Sequence, residues 1–263
     1  MSAAFFDIDG TLLRKPSLER RFFWDLHRRR KIPAANYFRF LADTLLRLGE
    51  GAPALTLQSK SYLRGIPADL LAEGLFLEAA ARLPRLFPAA VHRIWQHALR
   101  GDAIVLVTGS LAPLAETVGF ALERELLCRG VETKIGLLAT RLEVREGRWT
   151  GRVLGAPMFA EAKALAIGDF SAARGIALSQ CSAYGDSHLD RWMLASVGNP
   201  YAVNPTRRML GVARVFGWPT LTWNHSLENA TDLLRKPNEV ALPNPEPRLK
   251  WGLQGGKAGA RDE

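Results

Sequence analysis

The sequence predicts an α/β protein: a mostly parallel sheet flanked by helices, with an all-helical insert after the first strand and a small β-hairpin. Three observations lead there. Short apolar runs stop abruptly at polar or turn residues, at Phe5-Phe6, at Ala103–Val107 and at Ala183-Tyr184, as buried strands do. Stretches of helical periodicity separate these runs. Two of the runs deliver acids at their carboxyl ends, Asp7 and Asp9 in one case, Asp186 and Asp190 in the other. That is the edge where open α/β sheets bind ligands.

The first strand leads into Asp7-Ile8-Asp9-Gly10-Thr11-Leu12-Leu13. Along an extended chain residues i and i+2 share a side, so Asp7 and Asp9 are expected to project together. Adjacent carboxylates repel unless positive charge lies near them. A hard divalent cation such as Mg²⁺, which prefers oxygen ligands, is the expected partner. From Arg14 to about Pro88, Phe22, Phe23, Leu26, Phe38, Leu41, Leu45 and Leu48 recur at helical spacing. Breaks fall at Gly49–Pro53 and Gly65–Pro67. This reads as three or four short helices without a strand, placed to act as a lid.

From Pro88 the α/β pattern resumes. Ala89–Arg100 is expected to be helical, Ala103–Val107 a strand ending in Thr108-Gly109-Ser110, and Leu111–Leu126 helical. Leu137–Val144 and Trp149–Leu154 flank Arg145-Glu146-Gly147-Arg148 as a hairpin. Ala160–Arg174 forms a helix stopped by Gly175. Ser182–Tyr184 leads into Gly185-Asp186-Ser187, then a short helix, an apolar run to Ala202-Val203, a helix over Thr206–Val215 and a last strand near Leu221. The expected division is an α/β core of residues 1–13 and 88–234, a helical cap of 14–87, and a flexible tail of 235–263 rich in Pro, Gly and charge.

The 263 residues, 48% hydrophobic and 23% charged, suffice for a real core in a soluble globular protein. Two cysteines, Cys128 and Cys181, make neither a disulfide framework nor a zinc pattern. With an apolar lead-in too short for a signal peptide and no bilayer-length apolar run, a reducing, cytoplasmic setting is expected. The net charge of +9, with Arg20, Arg21, Arg28, Arg29, Arg30 and Lys31 prominent, favours anionic partners, phosphorylated metabolites or acidic lipid headgroups among them. No nucleic-acid motif accompanies it and none is expected as partner; peripheral contact with an anionic membrane is compatible with it.

Three further stretches carry chemistry. At Val107-Thr108-Gly109-Ser110 a hydroxyl and free backbone N–H groups can hold phosphate oxygens. Lys163, if buried beside aspartates, would balance charge and stabilise a transferring phosphoryl group. Tyr184-Gly185-Asp186-Ser187-His188-Leu189-Asp190 ends a strand with acids at i, i+4, and reads equally as a capped helix start. In this order, with Asp7-Ile8-Asp9-Gly10-Thr11, the four stretches resemble the motifs of the haloacid dehalogenase superfamily of phosphohydrolases. The likeness runs from Ala3 to Trp223. It is closest to the phosphoserine-phosphatase-like branch, subfamily IB, whose helical cap follows the first strand of a Rossmann-like core. Ala202-Val203-Asn204-Pro205 is similar to that branch too.

The resemblance implies roles. Asp7 would be the nucleophile forming an aspartyl-phosphate. Asp9 would protonate the leaving alcohol and then activate water. Mg²⁺ would sit on the Asp7 carboxylate, the Asp9 main-chain carbonyl and the Asp186 carboxylate. Thr108, the Gly109 amide and Lys163 would grip the phosphoryl oxygens, with Asp190 orienting the metal site or Lys163. An acid at Asp9 favours hydrolysis over phosphotransfer. True phosphoserine phosphatases carry Glu where this chain has Pro16, and Asn where it has Leu189; the nearest acid to Pro16 is Glu19. Arg14, Arg20 and Arg21 make the mouth cationic, with Arg14 a candidate substrate contact. The expected function is therefore a Mg²⁺-dependent phosphatase of a small phosphorylated metabolite other than phosphoserine. The alternatives are a basic protein binding a membrane surface or anionic partner on the same scaffold, and a phosphotransferase.

Overall fold

A computed structural model describes residues 1–49, 59–71 and 86–223. The expected tail and two stretches of the insert lie outside them. Seven strands are described: β1 (Ala3–Phe6), β2 (Ala103–Leu111), β3 (Gly136–Arg145), β4 (Arg148–Leu154), β5 (Ser182–Gly185), β6 (Asn199–Val203) and β7 (Thr220–Leu221). They form one sheet in the order β4-β3-β2-β1-β5-β6-β7. Every pairing is parallel except the β3–β4 hairpin. The α/β class with a mostly parallel sheet is thus the fold. β1 lies in the middle, and the chain builds outward from it first towards β2 and β3, then towards β5, β6 and β7. The carboxyl end of β1 is therefore a switch point, where such sheets open a crevice.

Alternation along β1 explains the two faces. Phe6 joins Leu106, Leu18, Phe22 and Leu26 in one apolar cluster, whereas Phe5 joins Val105, Ile167, Met193 and Met209 in the other. Phe6, Tyr184 and Tyr201 are register partners on adjacent strands. Their rings stack with centroids 4.5 Å and 4.9 Å apart. Cross-strand aromatic pairs of this kind help fix register.

The insert contributes α1 (Leu18–Arg28) and α2 (Ala34–Gly49), then single 3₁₀ turns at Ser61–Leu63 and Ala68–Leu71. Ser17 caps α1, its hydroxyl accepting from the Arg20 N–H. Met1–Leu227 fall in one compact unit, and Leu18, Phe22, Leu26, Tyr62 and Leu63 share the sheet's apolar cluster. The break at Gly65–Pro67 lies along the outer edge of β4, with Gly65 N–H bonded to Trp149 C=O, Trp149 N–H to Ile66 C=O, and an isolated bridge between Pro67 and Arg148. Turn residues Gly65 and Pro67 interrupt helix and leave an edge strand to be covered. One expectation, the apolar stripe of α2, needs correction. On α2, the spaced residues Phe38, Leu41 and Leu45 are exposed, not core. The inward side carries Asn36, whose amide donates to Tyr62 C=O and Arg64 C=O, together with Tyr37 and Phe40, which pack against the core.

After the insert come α3 (Pro88–Leu99), α4 (Ala112–Cys128), α5 (Glu161–Ala172), α6 (Arg191–Ala195) and α7 (Arg207–Phe216). The helix over Arg207–Phe216 is capped by Thr206 and closed by Gly217 in the left-handed region. No helix among the described residues is long and apolar enough to cross a membrane.

His97 on α3 is buried, with Nδ1 2.7 Å from Asp102 and Nε2 2.7 Å from the Tyr184 hydroxyl. Burial lowers its pKa to about 4; Asp102 opposes and Arg100 adds to the fall. The unfolded chain therefore takes up this proton below about pH 6.5, while the folded chain refuses it down to about pH 4. Stability held above that window is lost as pH falls through it, by up to about 3 kcal/mol. Melting curves across the window are expected to show a shallower decline for His97→Gln than for the wild type. An identical slope in both would contradict the assignment.

Candidate active site

The acid-bearing ends of β1 and β5 are neighbours, because Phe6 pairs with Tyr184 and the Asp7 N–H donates to Tyr184 C=O. α5 brings a cation to them. Lys163 is 3% exposed, and its Nζ donates to Asp7 Oδ1 and to Asp190 Oδ1, 2.6 Å each. Asp190 is aimed by a capping box: Ser187 caps the turn at His188–Asp190, and Asp190 Oδ2 accepts from the Ser187 N–H. The stretch at Asp186–Asp190 is thus a capped helix start and an acid site at once.

Electrostatics follow from burial. Desolvation pushes the Asp7 carboxyl well above the usual range, with Lys163 opposing and Asp190 and Asp186 reinforcing. Burial raises Asp186 to about 6, against the pull of Lys15. Burial also pulls on Lys163, but Asp190 and Asp7 outweigh it and hold its ammonium above the usual lysine value. Lys163 is therefore charged at any working pH, and its charge opposes the protonation that burial favours at Asp7 and Asp186.

Asp7, Asp186 and Asp190 each offer a carboxylate oxygen within 4.8 Å of the other two, and all three are buried. An all-oxygen donor set packed this closely suits a hard cation such as Mg²⁺. Asp190 has both oxygens engaged, by Lys163 and Ser187; Asp7 takes Lys163 on Oδ1 and, at a longer 3.3 Å, the Thr11 hydroxyl on Oδ2. A positive charge already meets Asp186: Lys15 Nζ is 2.7 Å from its Oδ2, on a side chain 57% exposed and able to swing away.

Asp9 lies beyond the end of the strand, yet its charge is felt at Asp7, and that of Lys163 at Asp9. β1 ends at Phe6, and the chain then turns, with Leu12 and Leu13 N–H groups both donating to Ile8 C=O. The Asp9 carboxylate accepts from the Leu18 N–H at 2.7 Å and from the Ser110 hydroxyl at 2.7 Å. Burial raises its pKa, and these two bonds oppose the rise. Gly10 permits the turn: it has φ +100°, and an added Cβ would lie 2.5 Å from Asp186 Oδ2.

Thr108 is fully buried, and its hydroxyl oxygen accepts from the Ser110 N–H. Its own O–H remains available to an incoming acceptor. At Gly109 an added Cβ would meet the Phe159 ring at 2.1 Å. Glycine is required there because the ring lies flush on the backbone. Arg14 is exposed, its guanidinium 5.8 Å from the Phe87 ring centroid. The structure thus brings together Asp7, Lys163, Asp186 and Asp190, and sets Arg14 on the surface.

Sequence reading missed Ser110 as the Asp9 partner, although it ends the quoted Thr-Gly-Ser stretch. It also missed Thr140, whose hydroxyl donates to Gly109 C=O and accepts from the Met158 N–H. Asn204 donates to Gly10 C=O and accepts from the Trp223 N–H. Its signal was present in the Ala-Val-Asn-Pro stretch.

The profile of haloacid dehalogenase-like hydrolases matches residues 4–195. A probable phosphatase of Mycobacterium tuberculosis is 29% identical over 254 residues, covering 92% of this chain and 82% of that protein. A phosphoserine phosphatase of the same organism is 26% identical over 272 residues, covering 98% of this chain and 79% of that protein. Among solved structures, a protein of unknown function from Bordetella pertussis superposes with a TM-score of 0.66 at 28% identity, covering 84% of this chain and 97% of that one.

Removing the Lys163 charge leaves two buried carboxylates without their shared cation. Lys163→Met is expected to cost about 3–5 kcal/mol of stability. The loss should shrink in mild acid, where the carboxyls protonate. Thermal melts at about pH 5 and about pH 8 test this; an unchanged melting temperature at the higher pH would contradict it.

Proposed function

We propose that this chain, which belongs to the haloacid dehalogenase-like hydrolase family and is a phosphatase of that family, hydrolyses a small phosphomonoester through an aspartyl-phosphate on Asp7. The observation that carries the reading is the buried Lys163 ammonium on Asp7 at 2.6 Å, at the switch point of the sheet. A carboxyl whose ionised form is favoured by the adjoining ammonium, beside a cation able to receive phosphoryl oxygens, is equipped to attack phosphorus.

The residues take the following parts. An Asp7 oxygen attacks phosphorus as the bond to the leaving alcohol breaks. Asp9, whose burial favours a bound proton, gives that proton to the departing oxygen. Asp9 then takes a proton from water, which attacks the phosphoryl group and restores the Asp7 carboxylate as phosphate departs. Lys163 and the Thr108 hydroxyl steady the phosphoryl oxygens, and the Gly109 amide is assigned to the same task. Asp190 positions Lys163. The Asp7 and Asp186 carboxylates with the Asp9 main-chain carbonyl would hold Mg²⁺. Such an ion supplies Lewis-acid stabilisation of phosphoryl charge and relieves repulsion among the acids.

The substrate is read as an ester without a free amine beside the phosphate. Glu19, the acid nearest Pro16, is already engaged: Lys60 Nζ is 2.5 Å from both its oxygens, and the Tyr62 hydroxyl donates at 3.1 Å. A substrate ammonium would compete with a buried lysine for that carboxylate. Losing such a charge partner in a closed site costs about 2–5 kcal/mol.

Phosphate release from a panel of phosphomonoesters tests the proposal. Turnover is expected with Mg²⁺ and lost after EDTA treatment, with phosphoserine slower in kcat/KM than amine-free esters by about tenfold or more. Full activity after exhaustive EDTA treatment, or phosphoserine as the best substrate, would overturn the corresponding part.

A further inference from the structure

We propose that the chain carries a second ligand site, for a small soluble anion bearing two or more phosphate groups, in the pocket between the β3–β4 hairpin and the inserted segment. The pocket has a volume of about 470 Å³ and is lined by Arg64, Arg145, Arg148 and Arg152, with Glu143 as its one acid. It shares no lining residue with the Asp7, Asp186 and Asp190 cluster. The inference is therefore independent of the reaction proposed above.

The charge in this pocket is unbalanced. Glu143 is already engaged, accepting from Arg145 Nε and Nη2 at 2.9 Å and 2.7 Å and from the Thr150 hydroxyl at 2.8 Å. Arg148 donates one N–H to Gly65 C=O at 2.8 Å, which leaves the rest of its guanidinium available. Arg64 and Arg152 make no side-chain hydrogen bond or ion pair among the described residues. Four guanidinium groups thus converge on one cavity against a single, already bonded carboxylate. Such a cleft focuses positive potential. Guanidinium forks match phosphate oxygens in pairs, and several forks around one cavity match a ligand with more than one phosphate.

The backbone that carries these side chains is tied before any ligand arrives. Arg64 and Gly65 come from the insert and the other arginines from the hairpin. The two are joined by backbone bonds: Gly65 N–H to Trp149 C=O at 2.8 Å, Trp149 N–H to Ile66 C=O at 2.9 Å, and Ala68 N–H to Gly147 C=O at 2.8 Å. Trp149 also lines the pocket and is itself buried, edge-on to Phe22. A volume of this size is that of a small-molecule site, and prior tying of this backbone lowers the ordering cost of binding.

The experiment is calorimetric titration of the full chain with inorganic pyrophosphate, in EDTA and at low salt. One pyrophosphate per chain is expected. Its dissociation constant should weaken by about tenfold or more in the Arg64→Gln/Arg152→Gln double variant, and with added salt. Both side chains are exposed, so the fold should survive, as melts would verify; each single variant should lie between wild type and double. Thr108→Val should retain pyrophosphate binding. Four results would overturn the proposal: no pyrophosphate binding, equal affinity in the double variant, loss of binding in Thr108→Val alone, or binding only to phosphatidylglycerol vesicles.

Discussion

A buried ammonium shared by two carboxylates is the constraint on which the site depends. Lys163 Nζ bonds to Asp7 and Asp190 at equal distance, and all three groups are nearly inaccessible to water. Burying any one of these charges alone would cost several kcal/mol. They are tolerable only together, so each dictates where the others lie. β1 and β5 must be adjacent, α5 must begin beside their ends, and the turn after β5 must aim Asp190 inward. The capping box at Ser187 does the last of these, because a single carboxylate both receives Lys163 and closes the turn.

Around this core the neighbouring elements hold the remaining groups. Asp9 is held from two sides, by the first amide of α1 and by Ser110 at the end of β2. The insert therefore begins inside the site, and Glu19, one residue further on, ties it to Lys60 and Tyr62. Any movement of α1 would be felt at the Asp9 carboxylate directly. On the far side, Thr140 and Phe159 press the Gly109 backbone into place. The hairpin that extends β3 beyond the sheet receives the other end of the insert at Gly65–Ala68. The insert is thus tied both to the acids and to the hairpin.

Much of this was legible in the sequence, for a local reason. Apolar runs closed by turn residues, and acids at fixed spacing after them, are written in consecutive residues, so the strand ends and the four chemistry-bearing stretches could be read directly. Contacts between distant residues could not. Lys163 looks like any lysine on a helix until a partner 156 residues away is known, and Ser110 reaches across 101 residues to Asp9. The partners of Asp9 could not be read from strand alternation, because the strand ends at Phe6 and Gly10 turns the chain. The apolar stripe of α2 misled because the helix turns inward the side that bears Asn36, Tyr37 and Phe40, not the side that bears Phe38, Leu41 and Leu45. Spacing reports which residues share a side, and packing decides which side is inward.

The central claim is that Asp7, bonded to the Lys163 ammonium, carries the phosphoryl group. Its most direct test is to quench the enzyme in acid during turnover of an active phosphomonoester and map phosphorylation by peptide mass. The account predicts one added phosphoryl group on the peptide containing Asp7, absent in Asp7→Asn, whose fold should persist because Lys163 keeps Asp190. Phosphorylation of another residue, or turnover by Asp7→Asn comparable with wild type, would contradict it.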